Sequence, residues 1–278
     1  MIPILKQSLE IFMKVIRLGS KIIQTLVRDR IYYPGKLMVD TFGMVARCGV
    51  LLLLYWYVFR LNNGMVNGTT FLIAAWSMFL YFAFSVLRLR GISKEIMRDI
   101  RSGTVEILLC KPISYLSYRM WWQVGTGLYS FLVISLVGVI ALAFIVGIPE
   151  TMSARIFIPT LVIVVLLGVL LSLFLYTAVG LLAFWIEDID PVFWVVDKTV
   201  MILGGSYLPV ALFPDLMYKF AVWSPFGASQ FVTHTVYETW GVEWMMKVGI
   251  QVFWVVAFLV ITLLLFAKAR KKVSVNGG

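Results

Sequence analysis

The residues able to do chemistry in this chain are few and scattered. His234 is the only histidine, and Cys48 and Cys110 are the only cysteines. A zinc site draws three or four nitrogen, sulfur or oxygen ligands to one point, and nothing here offers that set. Cys48 stands in an apolar run and Cys110 in a basic loop, with no C-x-x-C spacing, so no disulfide is expected between them. A catalytic centre needs a nucleophile, an acid or base and a stabilising group at one depth. With one histidine and sparse carboxylates, no catalytic residue and no metal ligand is assigned. No G-x-x-x-x-G-K-[ST] run is present either, so the chain is not expected to hold nucleotide through a phosphate loop.

Charges inside apolar runs are the other chemical signal. Arg47 is the clearest. An isolated charge at mid-bilayer costs roughly 2.5–3.5 kcal/mol on insertion scales. Placed toward the inner end of its run, Arg47 is open to two readings: a snorkelling side chain, or a partner for a lipid headgroup or another helix. Asp197 and Lys198 fall near one end of a later run, where local pairing is the simpler expectation. No other ionisable group interrupts the interior of the remaining runs, which argues against coupling to a proton or sodium gradient.

The elements that must position these residues follow from composition. Of 278 residues 61% are hydrophobic and 14% charged, with a mean hydropathy of +0.94. Soluble domains carry about 25% charged residues, so lipid is the expected solvent. A span needs roughly 20 apolar residues. Six segments qualify, at 39–59, 70–89, 121–146, 157–185, 192–212 and 247–267; the fifth, holding Gly204, Gly205 and Pro209, is the weakest. Basic residues crowd the first 36 positions, the loop after the second span and the tail. The other side has only Arg60, Arg155, Lys219 and Lys247. The positive-inside rule then puts both termini in the cytoplasm of a multi-pass plasma-membrane protein. The net charge of +10 is explained by this orientation rather than by nucleic acid. The first 30 residues are interrupted by charge throughout and do not read as a cleavable signal. Leu5, Leu9, Phe12, Ile16, Ile23 and Val27 repeat at helical spacing and predict an amphipathic interfacial helix. Tyr55, Trp56, Tyr57, Trp121, Trp122 and Trp185 at span ends read as interfacial anchors.

Two connecting segments are more structured than connectors need to be. In ISKEIMRDIRSGTVEILLCKPISYLS (92–117), Ser93 is a plausible N-cap with Glu95 in the first turn. Ile92, Ile96 and Ile100 share a face, Gly103 interrupts, and Pro112 stops the second piece. Docking into a partner's groove and resting on lipid headgroups are equally compatible with that face. In 203–236, Pro209, Pro214 and Pro225 with Gly204, Gly205 and Gly227 break an apolar stretch. Irregular backbone at membrane depth is tolerated where it is buried in protein or lines a cavity, so short re-entrant helices capping an exit path are expected.

The run SGTVEILLCKPIS with the Tyr- and Arg-bearing start of the third span, then LLAFWIEDID and GGSYLPVALFPDLMYKFAVWSPF, resembles ABC-2 type permeases, in the branch of daunorubicin- and viologen-type exporters. The resemblance implies an all-α, six-span single domain over 1–278: an amphipathic helix at 1–37, a bundle at 38–268 and a tail at 269–278. It implies a membrane-lipid environment, a second permease, identical or homologous, and two copies of an ABC ATP-binding subunit that carry ATP and Mg, with no cofactor on this chain. It assigns coupling to the segment holding Ile92, Glu95, Ile96, Asp99, Ile100, Gly103 and Glu106, and the outer path to Gly204, Gly205, Pro209, Pro214 and Pro225. The acidic loop Glu187–Asp190 is not carried over and has two readings, an ATPase contact or pairing with nearby bases. A secondary transporter and a membrane protein without transport activity are the alternatives.

Overall fold

A computed structural model describes residues 2–276 except Pro112 and Ala154, with the side chains of 2–12, Lys36 and 273–276 outside the described set. The fold is all-α apart from one small hairpin. Helices α1 (Ile2–Tyr32), α2 (Gly35–Leu61) and α3 (Phe71–Ser85) come first, with strands β1 (Met65–Val66) and β2 (Thr69–Thr70) between α2 and α3. Next are α4 (Gly91–Arg101), α5 (Thr104–Leu109), α6 (Tyr115–Ile145) and α7 (Phe157–Leu181). The chain closes with α8 (Asp190–Leu203), α9 (Asp215–Trp223), α10 (Pro225–Ala228) and α11 (Trp240–Asn276).

Each apolar segment predicted from the sequence forms a helix. Among the described residues four helices are long and apolar enough to cross a membrane: those over Leu37–Leu61, Tyr115–Ile145, Phe157–Phe184 and Trp240–Lys272. The other two are shorter than predicted, α3 with 15 residues and α8 with 14. At 1.5 Å per residue each is roughly 22 Å long, less than the hydrocarbon thickness of about 30 Å. α3 stops before the predicted Leu89 because the chain turns at Arg88, whose φ is +55°. α8 stops at Gly204 because Gly205 takes φ +85°, a conformation only glycine adopts cheaply. Asn67 and Gly68, both at positive φ, form the two-residue connection of the β1–β2 hairpin, as Asn-Gly does in type I′ turns. Thr70 then caps α3, its Oγ1 accepting from the Ile73 N–H at 3.4 Å.

The amphipathic expectation for α1 changes in its face. Leu5, Leu9 and Phe12 lie outside the described side chains, and Ile16 is exposed. The partly buried face is Val15, Leu18, Ile22, Ile23, Leu26 and Val27, laid against α6. Two glycines make the contact close: a Cβ on Gly19 would fall 2.4 Å from the Trp121 ring, and one on Gly125 2.6 Å from Leu26 Cδ1. Trp121 is thus a packing residue. So is Tyr55, which is buried and donates to the Tyr207 carbonyl at 2.8 Å.

The core sits where α3, α7 and the 3-10 turn Phe231–Val236 meet. Trp76, Met78, Leu171, Leu175 and Phe231 are fully buried there. Trp240 Nε1 donates to Thr160 Oγ1 at 3.0 Å and Gln251 Nε2 to the Ala228 carbonyl at 2.9 Å, so buried hydrogen bonds pin α11.

Candidate functional site

Two neighbouring regions gather the candidate residues. The first is α4 with α5. α4 is amphipathic as predicted, but its apolar face turns inward. Ile92, Ser93 and Ile96 are buried against α7, where a Cβ on Gly180 would fall 2.9 Å from Ser93 Cα and 3.1 Å from Ile96 Cβ. The groove that this face fills is therefore in its own bundle. The N-terminus also differs from the prediction. Arg90 occupies the cap position without a side-chain bond to the helix backbone, and Ser93, one turn in, donates to the Arg90 carbonyl at 2.8 Å. Glu95 lies past the first turn and pairs with Arg98 at 3.0 Å.

Asp99 is 4% exposed, which for a carboxylate demands partners. It has three bonds: Tyr115 Oη donates to Oδ2 at 2.7 Å, Arg119 Nε to Oδ2 at 2.6 Å, and Arg119 Nη2 closes the fork on Oδ1. This bidentate geometry is the strong form of the ion pair, and it joins α4 to the start of α6. Ile100 is half-buried, and Gly103, at φ +71°, turns the chain into α5. Glu106 and Ile107 on α5 are exposed. Pro112, the predicted stop, lies outside the described residues.

The acidic loop belongs to α4. Lys94 Nζ lies 3.4 Å from Asp190 Oδ1, Arg101 Nη2 3.6 Å from Asp188 Oδ1, and Arg101 Nε donates to the Glu187 carbonyl at 3.1 Å. Lys94 also sits 4.8 Å from the Phe193 ring centre. Of the two sequence readings, local pairing is the one observed. Arg90, at the α4 end, makes two bonds to Asp197 in mid-α8, at 2.9 and 3.2 Å, and Tyr176 Oη donates to the same carboxylate at 3.2 Å. Basic residues of α4 thus hold α8 at its first turn and at its middle.

The second region is a cavity of about 570 Å³ between α2, α3, α7 and α8. It starts at the α3–α4 turn, where Arg88 pairs with Asp40, passes Arg90 and Asp197, and reaches Ser206 and Gln230 in the broken segment. Arg47 lines it. Ten residues past Leu37 in the Leu37–Leu61 helix, Arg47 is roughly 15 Å along a span of roughly 36 Å. It is closer to the middle than to the end, which weakens the snorkelling reading.

The broken segment forms short helical pieces that begin at its prolines. Pro209 precedes a 3-10 turn, Pro214 precedes α9, and Pro225 is the first residue of α10, with Ser224 Oγ accepting from the Gly227 N–H at 3.2 Å. Gly204 makes room for Gln230, whose Cγ would lie 2.5 Å from an added Cβ. Gly227 meets the Ala221 carbonyl oxygen, which a Cβ would approach to 2.0 Å.

Sequence reasoning missed one feature in this region. Lys247, counted above among the few bases of the side opposite the termini, is fully buried with Glu243 2.6 Å away, one turn earlier. The i, i+4 spacing of Glu243 and Lys247 was the available signal. His234 is buried beside Phe231 and Tyr237, at ring separations of 5.0 and 5.1 Å. Burial first, and the Lys247 charge second, hold it well below its ordinary pKa. Among the described residues no group of histidine, cysteine or carboxylate side chains could hold a metal.

Comparison with known proteins agrees with this architecture. A family model described as "ABC-2 family transporter protein" matches residues 48–277. No curated protein matches the chain. Asp40 and Arg47 precede the matched residues.

Proposed function

The chain belongs to the ABC-2 transporter family and is an integral-membrane component of ABC transport, and from that premise we propose that it is the permease of an ATP-driven exporter. ATP and Mg are held by a separate ATP-binding subunit, present in two copies, and a second permease, identical or homologous, completes the path. Residues 1–278 form one transmembrane domain with both termini in the cytoplasm. α3 and α8 serve as the second and fifth of six spans, each completed by the irregular chain that follows it. The cargo is hydrophobic or amphiphilic.

The observation that carries this reading is the ion-pair frame around α4. Exposed Glu106, Ile107 and the Gly103 turn form the surface offered to the ATPase. Asp99 and Arg119 pass its displacement to α6, and Lys94, Arg101 and Arg90 pass it to α8, which lines the cavity. The helix acts as a rigid lever because its apolar face is locked on α7 and its charges are tied to two other helices. Ile92, Ile96 and Asp99 therefore transmit, while Gly103 and Glu106 contact. Beyond the cavity, the segment from Gly204 to Pro225 caps the exit.

Purification in mild detergent tests the reading. A stoichiometric ATP-binding subunit should co-purify, and Glu106→Ala should reduce cargo-stimulated ATP hydrolysis several-fold while the chain still inserts. A clean permease with no ATPase, driven instead by an ion gradient, would overturn it.

A further inference from the structure

The cavity holds an unbalanced charge. Its wall carries three guanidinium groups (Arg47, Arg88, Arg90) and two carboxylates (Asp40, Asp197). Arg88 is paired with Asp40 and Arg90 with Asp197. Arg47 has no hydrogen-bond or ion-pair partner among the described residues. One positive charge is left over near mid-span, where an uncompensated cation is expensive. The second feature is Gln230. It is 93% buried, as its 7% exposure shows, it lines the same cavity, and its Oε1 has no partner. A buried carboxamide oxygen without a bond is left with its desolvation cost unoffset. Arg47, which is exposed, and Gln230 both line one space of about 570 Å³, within the range of small-molecule sites. The rest of the wall includes Phe82, Phe84, Val200 and Met201, which suit an apolar chain.

We propose that this cavity binds an anionic amphiphile, its single acidic headgroup (phosphate or carboxylate) paired with Arg47, its polar neck within reach of Gln230 and its tail along the apolar wall. Only one net charge is free, so a monoanion is favoured over a dianion, and a cation is repelled. Taking this ligand as the cargo rests on the permease reading above; the binding itself needs neither ATP nor a partner.

Native mass spectrometry of the full chain in maltoside micelles tests the site. The probes are dodecyl phosphate, dodecyltrimethylammonium with the same tail, and inorganic phosphate. Wild type should retain one dodecyl phosphate. Arg47→Gln should weaken retention by about tenfold, the effect of a loss of about 1.4 kcal/mol and near the low end for a bond to a charged group. Arg47→Lys should stay within about threefold, which separates loss of charge from loss of fold. Equal retention by wild type and Arg47→Gln, or tighter retention of dodecyltrimethylammonium, would overturn the proposal. Displacement by an equal concentration of inorganic phosphate would also overturn it, because it would make the site one for the free anion. Failure here with ATP-driven transport intact would sink the site and leave the permease reading standing. Retention here, with purification finding no ATP-binding subunit and flux following an ion gradient, would keep the site and sink the permease reading.

Discussion

At the residue scale, Asp99 is the side chain on which most depends. Its carboxylate is 5% exposed and the facing Arg119 11%. Removing one member of a buried pair leaves an uncompensated charge, typically costing 3–5 kcal/mol. Asp99→Asn should therefore lower the melting temperature clearly, and Asp99→Asn with Arg119→Gln should recover part of the loss. A double-mutant cycle by thermal unfolding in detergent checks this, and additive losses would mean that the two do not act together. His234 gives a second prediction, with a definite sign. In the folded chain it stays neutral, held below its ordinary value by burial and by Lys247. In the unfolded chain it takes a proton below about pH 6.5. The unfolded state then binds more protons, so stability falls as pH drops through that value, by up to about 1.4 kcal/mol per unit. Melting scans between about pH 7.5 and about pH 5.5 should show a slope that flattens in His234→Gln.

At the element scale, the existence of each helix was legible from the sequence and its partner was not. Hydropathy located every apolar segment, and the prolines and glycines of 203–236 located the breaks, because those residues act through local backbone geometry. The period of Ile92, Ile96 and Ile100 showed that α4 has an apolar face, but a period cannot say what covers it. The answer lay in Gly180, which reads as an ordinary residue of an apolar span until the close approach of Ser93 is seen. Gly180→Val should force α4 off α7. Overpacking of this kind usually costs 1–3 kcal/mol, and limited proteolysis should then cut near Gly103 faster than in wild type. Unchanged cleavage would mean that the seam tolerates the larger side chain. The ion pairs from α4 to the acidic loop should behave differently. Lys94 and Asp190 are both about two-fifths exposed, and such pairs contribute at most about 1 kcal/mol. Their role is then positional, in register with α8, rather than stabilising.

At the scale of the whole molecule, the cavity is the feature that sequence could not assemble. Asp40, Arg47, Arg88, Asp197 and Gln230 are spread over most of the chain and follow no periodic pattern. Only the topology brings α2, α3, α7 and α8 around one space. The charges were visible one by one, but their pairing, and hence the one left without a partner, was not. Only 6% of the apolar stretch of α2 is buried, against 39% for α7, so one wall of the cavity is a helix held chiefly through α3.

The hairpin between α2 and α3 has a practical consequence. Asn67 and Gly68 are exposed at its tip, and nothing lies within 4 Å of a Cβ built on Gly68. Exposed loop tips of small polar residues are where insertions are best tolerated. A short epitope spliced between these two residues should leave the bundle assembled, and antibody access on intact cells would turn the tip into a reporter of which face of the membrane it occupies.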